Sequence, residues 1–171
     1  SYIGGGDIEE AKRISVGLLG CDFELDKEHN AFRIKKIYEG APWDAEVRSP
    51  LRRPGLKVNE GDYLLGVNGL PIDTSQDIWA SFQGLAGEVV TLTINSKPTI
   101  DGARDVVVKP LSSEMRLRNL AWIESNRQKV DKATNGRVGY IYVPDTVVNG
   151  QNELVRQFIP QHRLDGLIID E

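Results

Sequence analysis

The sequence predicts an α+β chain in two parts, a small β-rich domain followed by an α/β segment. Short apolar runs separated by glycine turns fill residues 14–111, the signature of half-buried strands. From residue 112 the pattern changes to helix, strand, helix, strand. The last run, Asp165-Gly166-Leu167-Ile168-Ile169-Asp170, has no alternation, which suits a strand buried on both faces of a parallel sheet.

At 171 residues the chain has room for one compact domain and part of another. A net charge of -4 argues against a nucleic-acid partner, which would need a basic face. The cluster Arg48, Arg52, Arg53 and Lys57 has no interleaved aromatics and reads as a solvated loop. No stretch approaches the roughly 20 apolar residues of a membrane span, so no membrane partner is expected. The opening Ser1-Tyr2-Ile3-Gly4-Gly5-Gly6-Asp7 has neither a basic start nor an apolar run, so no signal peptide is expected. Cys21 is the only cysteine, which excludes an internal disulfide and favours an intracellular, cytoplasmic home. No cofactor is expected, and no His, Cys or carboxylate cluster has metal-ligand spacing.

In the first part, Cys21, Phe23 and Leu25 alternate with Asp22 and Glu24 as one strand. Phe32 and Ile34 begin a second, and Ile37 falls out of phase, which predicts a bulge or bend. A small helix is expected near Pro42. Tyr63 to Val67 reads as a strand, and Asn68-Gly69 supplies the positive φ angles of a tight turn. Thr74 or Ser75 is expected to cap a short helix carrying Ile78, Trp79 and Phe82, with Gly84 ending it. Strands over Val89 to Ile94 and Asp105 to Lys109 complete this part, joined through Asp101-Gly102.

In the second part, Ser112-Ser113 cap a helix to about Lys132, with Leu117, Leu120, Ala121 and Ile123 as its apolar stripe. Asn135-Gly136 stops it. Arg137 to Val143 forms a strand, and Asn149 caps a helix whose Leu154, Val155, Phe158 and Ile159 share one face. Strand, helix, strand in this order predicts a right-handed parallel crossover. The chain ends at the carboxyl edge of its last strand, the edge where catalytic groups gather in parallel sheets. It is expected to stop short of its chemistry.

Gly17-Leu18-Leu19-Gly20, directly before a strand, resembles the carboxylate-binding loop of PDZ domains. The resemblance runs through Gly40-Ala41-Pro42, Ser49-Pro50-Leu51, Pro54-Gly55-Leu56 and Gly61-Asp62 to Asn68-Gly69. It implies a PDZ-like β-barrel or sandwich over residues 14–111. The N–H groups of Leu18, Leu19 and Gly20 would hold a peptide carboxylate, and the strand from Cys21 would pair with the peptide. Phe82, with Ile78 as the alternative, would line the side-chain pocket. The segment from Gly40 to Gly55 is longer than is usual in such domains.

The block Trp122-Ile123-Glu124-Ser125-Asn126-Arg127, then Gly136 to Pro144 and Asp165 to Asp170, resembles the catalytic domain of carboxyl-terminal processing serine proteases. Within that superfamily the likeness is to the tricorn-type intracellular peptidases. It implies that residues 1–13 link from an upstream catalytic subdomain. Residues 112–171 would be the truncated start of a crotonase/Clp-like catalytic subdomain. It also implies peptide substrates, a hexameric homo-oligomer, and a serine nucleophile and histidine base that both lie outside these residues. His29 and His162 read as solvated loop histidines, and catalytic residues within the chain are expected to be none. Asp170, Glu171, Asp145 and Asn149 are the candidates for supporting roles at the strand ends. The alternative is a non-catalytic PDZ adaptor binding peptide carboxyl termini. The amphipathic helix and parallel crossover after residue 112 speak against it, because an adaptor has no use for them.

Overall fold

Alternating side chains give the first unit its sheet, and glycine or asparagine at positive φ gives it its corners. The computed structural model describes residues 15–40 and 47–171 and divides at Glu114 into two units. The expected linker over 1–13 and the small helix near Pro42 lie outside the described residues.

In the first unit, β1 (Cys21–Asp26) and β2 (Ala31–Ile37) form an antiparallel hairpin. β3 (Tyr63–Val67) pairs with β2, with the short β4 (Leu70–Pro71), and with β5 (Val90–Asn95), to which β6 (Arg104–Val108) adds. The order is β1-β2-β3-β5-β6, so β1 stands at an edge. Asp22 lies opposite Lys36 and Phe23 opposite Ile34, which leaves Lys35 without a counterpart. That extra residue turns both Ile34 and Ile37 inward, the break in alternation that the sequence shows. Asn68 (φ 50) and Gly69 (φ 76) make the β3–β4 corner as expected.

The expected helix over Ile78–Phe82 is a 3-10 turn. Its cap is Asp77, whose carboxylate accepts the Trp79 N–H at 2.8 Å. The turn starts at Ile78, beyond Thr74 and Ser75, and the Ser75 N–H and hydroxyl both donate to Asp73, at 3.0 and 2.6 Å. One core cluster is built around Leu19, Ile34, Leu64, Phe82, Leu92 and Ile94, all essentially inaccessible. Each such side chain stabilises the fold by roughly 1.5–3 kcal/mol before entropy is counted.

The second unit opens with α1 (Met115–Thr134). Asn135 (φ 52) and Gly136 (φ 74) end it, with the Gly136 N–H returning to the Asp131 carbonyl at 2.9 Å. β7 (Val138–Tyr142) and β8 (Gly166–Asp170) pair in parallel, joined by α2 (Val148–Phe158) and a 3-10 turn over Ile159–Gln161. Trp122 of α1 meets Tyr142 edge-on at 5.5 Å. Two expectations are corrected here. The cap position of α2 is Val147, which offers no capping side chain, and not Asn149; the Asp145 carboxylate two residues earlier accepts the N–H groups of Val147 and Gly150, each at 2.9 Å. β8 is not buried on both faces: Ile168 and Ile169 are 45% and 56% exposed, since β7 is its one strand neighbour among the described residues.

The other edge of β7 is closed by side chains. Gln161 accepts the Tyr140 N–H at 3.0 Å and donates to the Tyr140 carbonyl at 3.3 Å. Gln157 does the same for Tyr142, at 3.3 and 3.0 Å. Gln157 near the end of α2 and Gln161 at the end of the 3-10 turn are about one turn apart, which sets their carboxamides against alternate strand residues. The pair stands in for a neighbouring strand, and a Cβ on Gly139 would collide with Gln161. Replacing both glutamines by alanine is expected to speed amide exchange at Tyr140 and Tyr142 by about tenfold or more, reflecting net bonds of roughly 1 kcal/mol each. Unchanged exchange by NMR would show that the edge needs no such cover.

The β1–β2 turn is tied by Asp26. Its carboxylate faces the His29 ring at 2.9 Å, accepts the Tyr63 hydroxyl at 2.8 Å, and takes the N–H groups of Glu28 and His29. The bond to His29, then that to Tyr63, lowers its pKa from 3.8 to about 2. A depressed carboxylate contributes stability above its unfolded pKa and loses it as pH falls toward the folded one. Stability from this turn is therefore expected to fade between about pH 4 and pH 2. The acid limb of an unfolding profile should flatten in Asp26→Asn; an identical limb in both proteins would refute the assignment.

Candidate functional site

The loop Gly17-Leu18-Leu19-Gly20 crosses from a short bridged segment into β1, and its backbone is largely buried. Buried N–H and C=O groups require partners, and distant elements supply them. The Gly17 N–H donates to the Phe82 carbonyl at 2.9 Å. Leu18 and Leu111 exchange both bonds, at 2.9 and 2.7 Å. The Leu19 carbonyl accepts the Ser49 hydroxyl at 2.7 Å, and the Gly20 carbonyl accepts the Tyr38 N–H at 2.9 Å. The Gly20 N–H donates to Glu114 Oε1 at 2.6 Å, in a buried contact.

The glycines have separate reasons. A Cβ on Gly17 would lie 2.8 Å from Pro110 Cβ and 3.1 Å from the Leu85 carbonyl carbon, so Gly17 is demanded by packing. Gly20 has φ 67, a left-handed turn that aims its N–H away from the strand direction.

Of the five sequence-predicted binding residues, Leu19, Cys21 and Phe82 are completely buried. Gly20 presents its N–H to a carboxylate. The Leu18 N–H donates to the Leu111 carbonyl. Between β1 and the 3-10 turn, Phe23 meets Trp79 edge-on at 5.6 Å and Trp79 leans on Phe82 at 5.6 Å. Trp79 thus touches both Phe23 of β1 and the buried Phe82.

The histidines are occupied locally. His29 Nδ1 faces Asp26, and His162 Nδ1 lies 2.7 Å from the Ile159 carbonyl. Among the described residues neither has a serine hydroxyl as a hydrogen-bond partner. Asp170, at the carboxyl end of β8, accepts the Tyr140 hydroxyl, to which Asn126 donates at 3.1 Å. Burial, then the bond to Asp170, raises the Tyr140 phenol. Asp170 therefore ties β8 to β7 and α1, and Asp145 is spent on α2.

Three contributors escape sequence reasoning: Ser49, Trp79 and Glu114. Ser49 stands inside the Ser-Pro-Leu block, and its hydroxyl both caps the 3-10 turn at Leu51 (3.1 Å) and holds Leu19. Glu114 carries no local signal, since its partner lies 94 residues away. Ser49→Ala leaves the Leu19 carbonyl and Leu51 N–H short of a partner and is expected to cost about 1–3 kcal/mol. Denaturant unfolding measures this; a change within experimental error would show that water replaces the hydroxyl.

The whole loop and the strands behind it match a known family profile, the tricorn protease PDZ domain, over residues 17–113. The tricorn protease homolog of Saccharolobus solfataricus is 34% identical over 171 residues, covering 99% of this chain and 15% of that protein. The tricorn protease of Thermoplasma volcanium is 31% identical over 170 residues, covering 99% and 16%. Among solved structures, the crystal structure of the tricorn protease superposes with a TM-score of 0.78 at 28% identity, over 92% of this chain and 15% of that one. The chain spans under a fifth of the length of these relatives. With its buried glycine loop, edge strand and matching profile, the chain belongs to the tricorn protease family and carries that family's PDZ domain.

Proposed function

We propose that this chain is the PDZ module and leading catalytic scaffold of a cytoplasmic, tricorn-type serine peptidase. Residues 14–111 are the PDZ-like domain, and residues 112–171 begin a crotonase/Clp-like catalytic subdomain. The full-length protein hydrolyses peptides through a serine acyl-enzyme and works as a homo-oligomer, hexameric by likeness to its family. The observation that carries the reading is the profile match over residues 17–113 together with relatives aligned along nearly the whole chain.

A serine nucleophile needs a base within hydrogen-bond reach and N–H donors aimed at the developing oxyanion. Among the described residues both histidines are held by local partners, which supports a scaffolding role for these residues. The network Tyr140–Asp170 supports the same reading, since it braces the strand edge where such folds place their chemistry.

A fluorophosphonate probe tests this. The 171-residue chain is expected to stay unlabelled, and the protein extended at both ends through its native gene is expected to label on one serine. Labelling of the short chain would overturn the scaffold role. Absence of labelling in both, with tight binding of carboxyl-terminal peptides, would favour the adaptor.

A further inference from the structure

The carboxylate-binding loop already holds a carboxylate. Glu114 Oε1 accepts the Gly20 N–H at 2.6 Å, and the Glu114 residue is 6% exposed. The contact is not a local accident of the turn. Leu111 and Leu18 exchange two backbone bonds, which lays the segment from Leu111 beside the loop and delivers Glu114 three residues later. A charged acceptor on a backbone N–H is among the stronger hydrogen bonds a protein makes. On β1 just beyond the loop, Phe23 meets Trp79 of the 3-10 turn edge-on at 5.6 Å.

We propose that Glu114 is a built-in competitor, an internal carboxylate that occupies the Gly20 N–H in place of a peptide carboxyl terminus. This rests on the reading of the loop as a peptide-carboxylate site and assigns its regulation. A tethered ligand acts at high effective concentration, so a free peptide binds only to the fraction of molecules in which Glu114 has left. Release of Glu114 is the gating event, and an incoming peptide must present a free carboxylate to replace it. Closed this way, the domain discriminates against weak or transient termini.

The test uses the 171-residue chain and fluorescein-labelled hexapeptides with free apolar carboxyl termini, alongside the same peptides amidated. Glu114→Ala is expected to raise affinity for the free-carboxyl set by roughly tenfold or more, with little gain for the amidated set. Glu114→Gln keeps an accepting oxygen without the charge and is expected to fall between the two, which preserves the test if the alanine variant folds poorly. In parallel, the Gly20 amide proton should shift upfield in both variants. An unmoved Gly20 resonance overturns the contact. Equal affinity of wild type and variants overturns the gate while leaving peptide capture standing. No binding by any form overturns peptide capture itself, and the gate with it.

Discussion

The buried backbone of Gly17–Gly20 is the constraint on which the first unit depends. Four consecutive residues run through the interior without belonging to a regular ladder, so their polar groups have no automatic partners. The structure answers with one partner from almost every surrounding element: Phe82, Leu111, Ser49, Tyr38 and Glu114. Removing any of them strands a buried donor or acceptor, which costs more than the bond itself contributes. The loop is therefore a hub that joins the hairpin, the 3-10 turns and the end of the domain.

Two of the loop's N–H groups are taken by partners within the fold. In an open loop, the outward N–H groups rely on water until a ligand arrives. Here the Leu18 N–H belongs to a bridge and the Gly20 N–H to a side-chain carboxylate. Among the described residues β1 has β2 as its strand neighbour, and its Phe23 meets Trp79 edge-on.

The second unit solves an edge problem rather than a loop problem. Two parallel strands leave two outer edges, and an unpaired edge invites association. Gln157 and Gln161 cover the β7 side by reproducing the bonds of a strand. The β8 side keeps exposed Ile168 and Ile169. Asp170 and Tyr140 lock the register between the strands from within.

Sequence by itself determined the elements and their order, because these rest on local physics. Alternation marked β1 and β2, Asn68-Gly69 marked a corner, and Asn135-Gly136 marked the end of α1. Even the Lys35 bulge was legible, since an extra residue leaves a visible slip in apolar phase. The glycine loop was legible too, as a pattern shared with PDZ domains. Only the tertiary structure decided what each loop atom bonds. The cap at Asp77 rather than Thr74 or Ser75 depended on the turn starting at Ile78. The exposure of β8 depended on which strands lie beside it. The place of Glu114 depended on pairing across 94 residues, a distance over which no periodicity or propensity carries information. Local pattern sets which backbone groups need partners, and the packed chain alone chooses the partners.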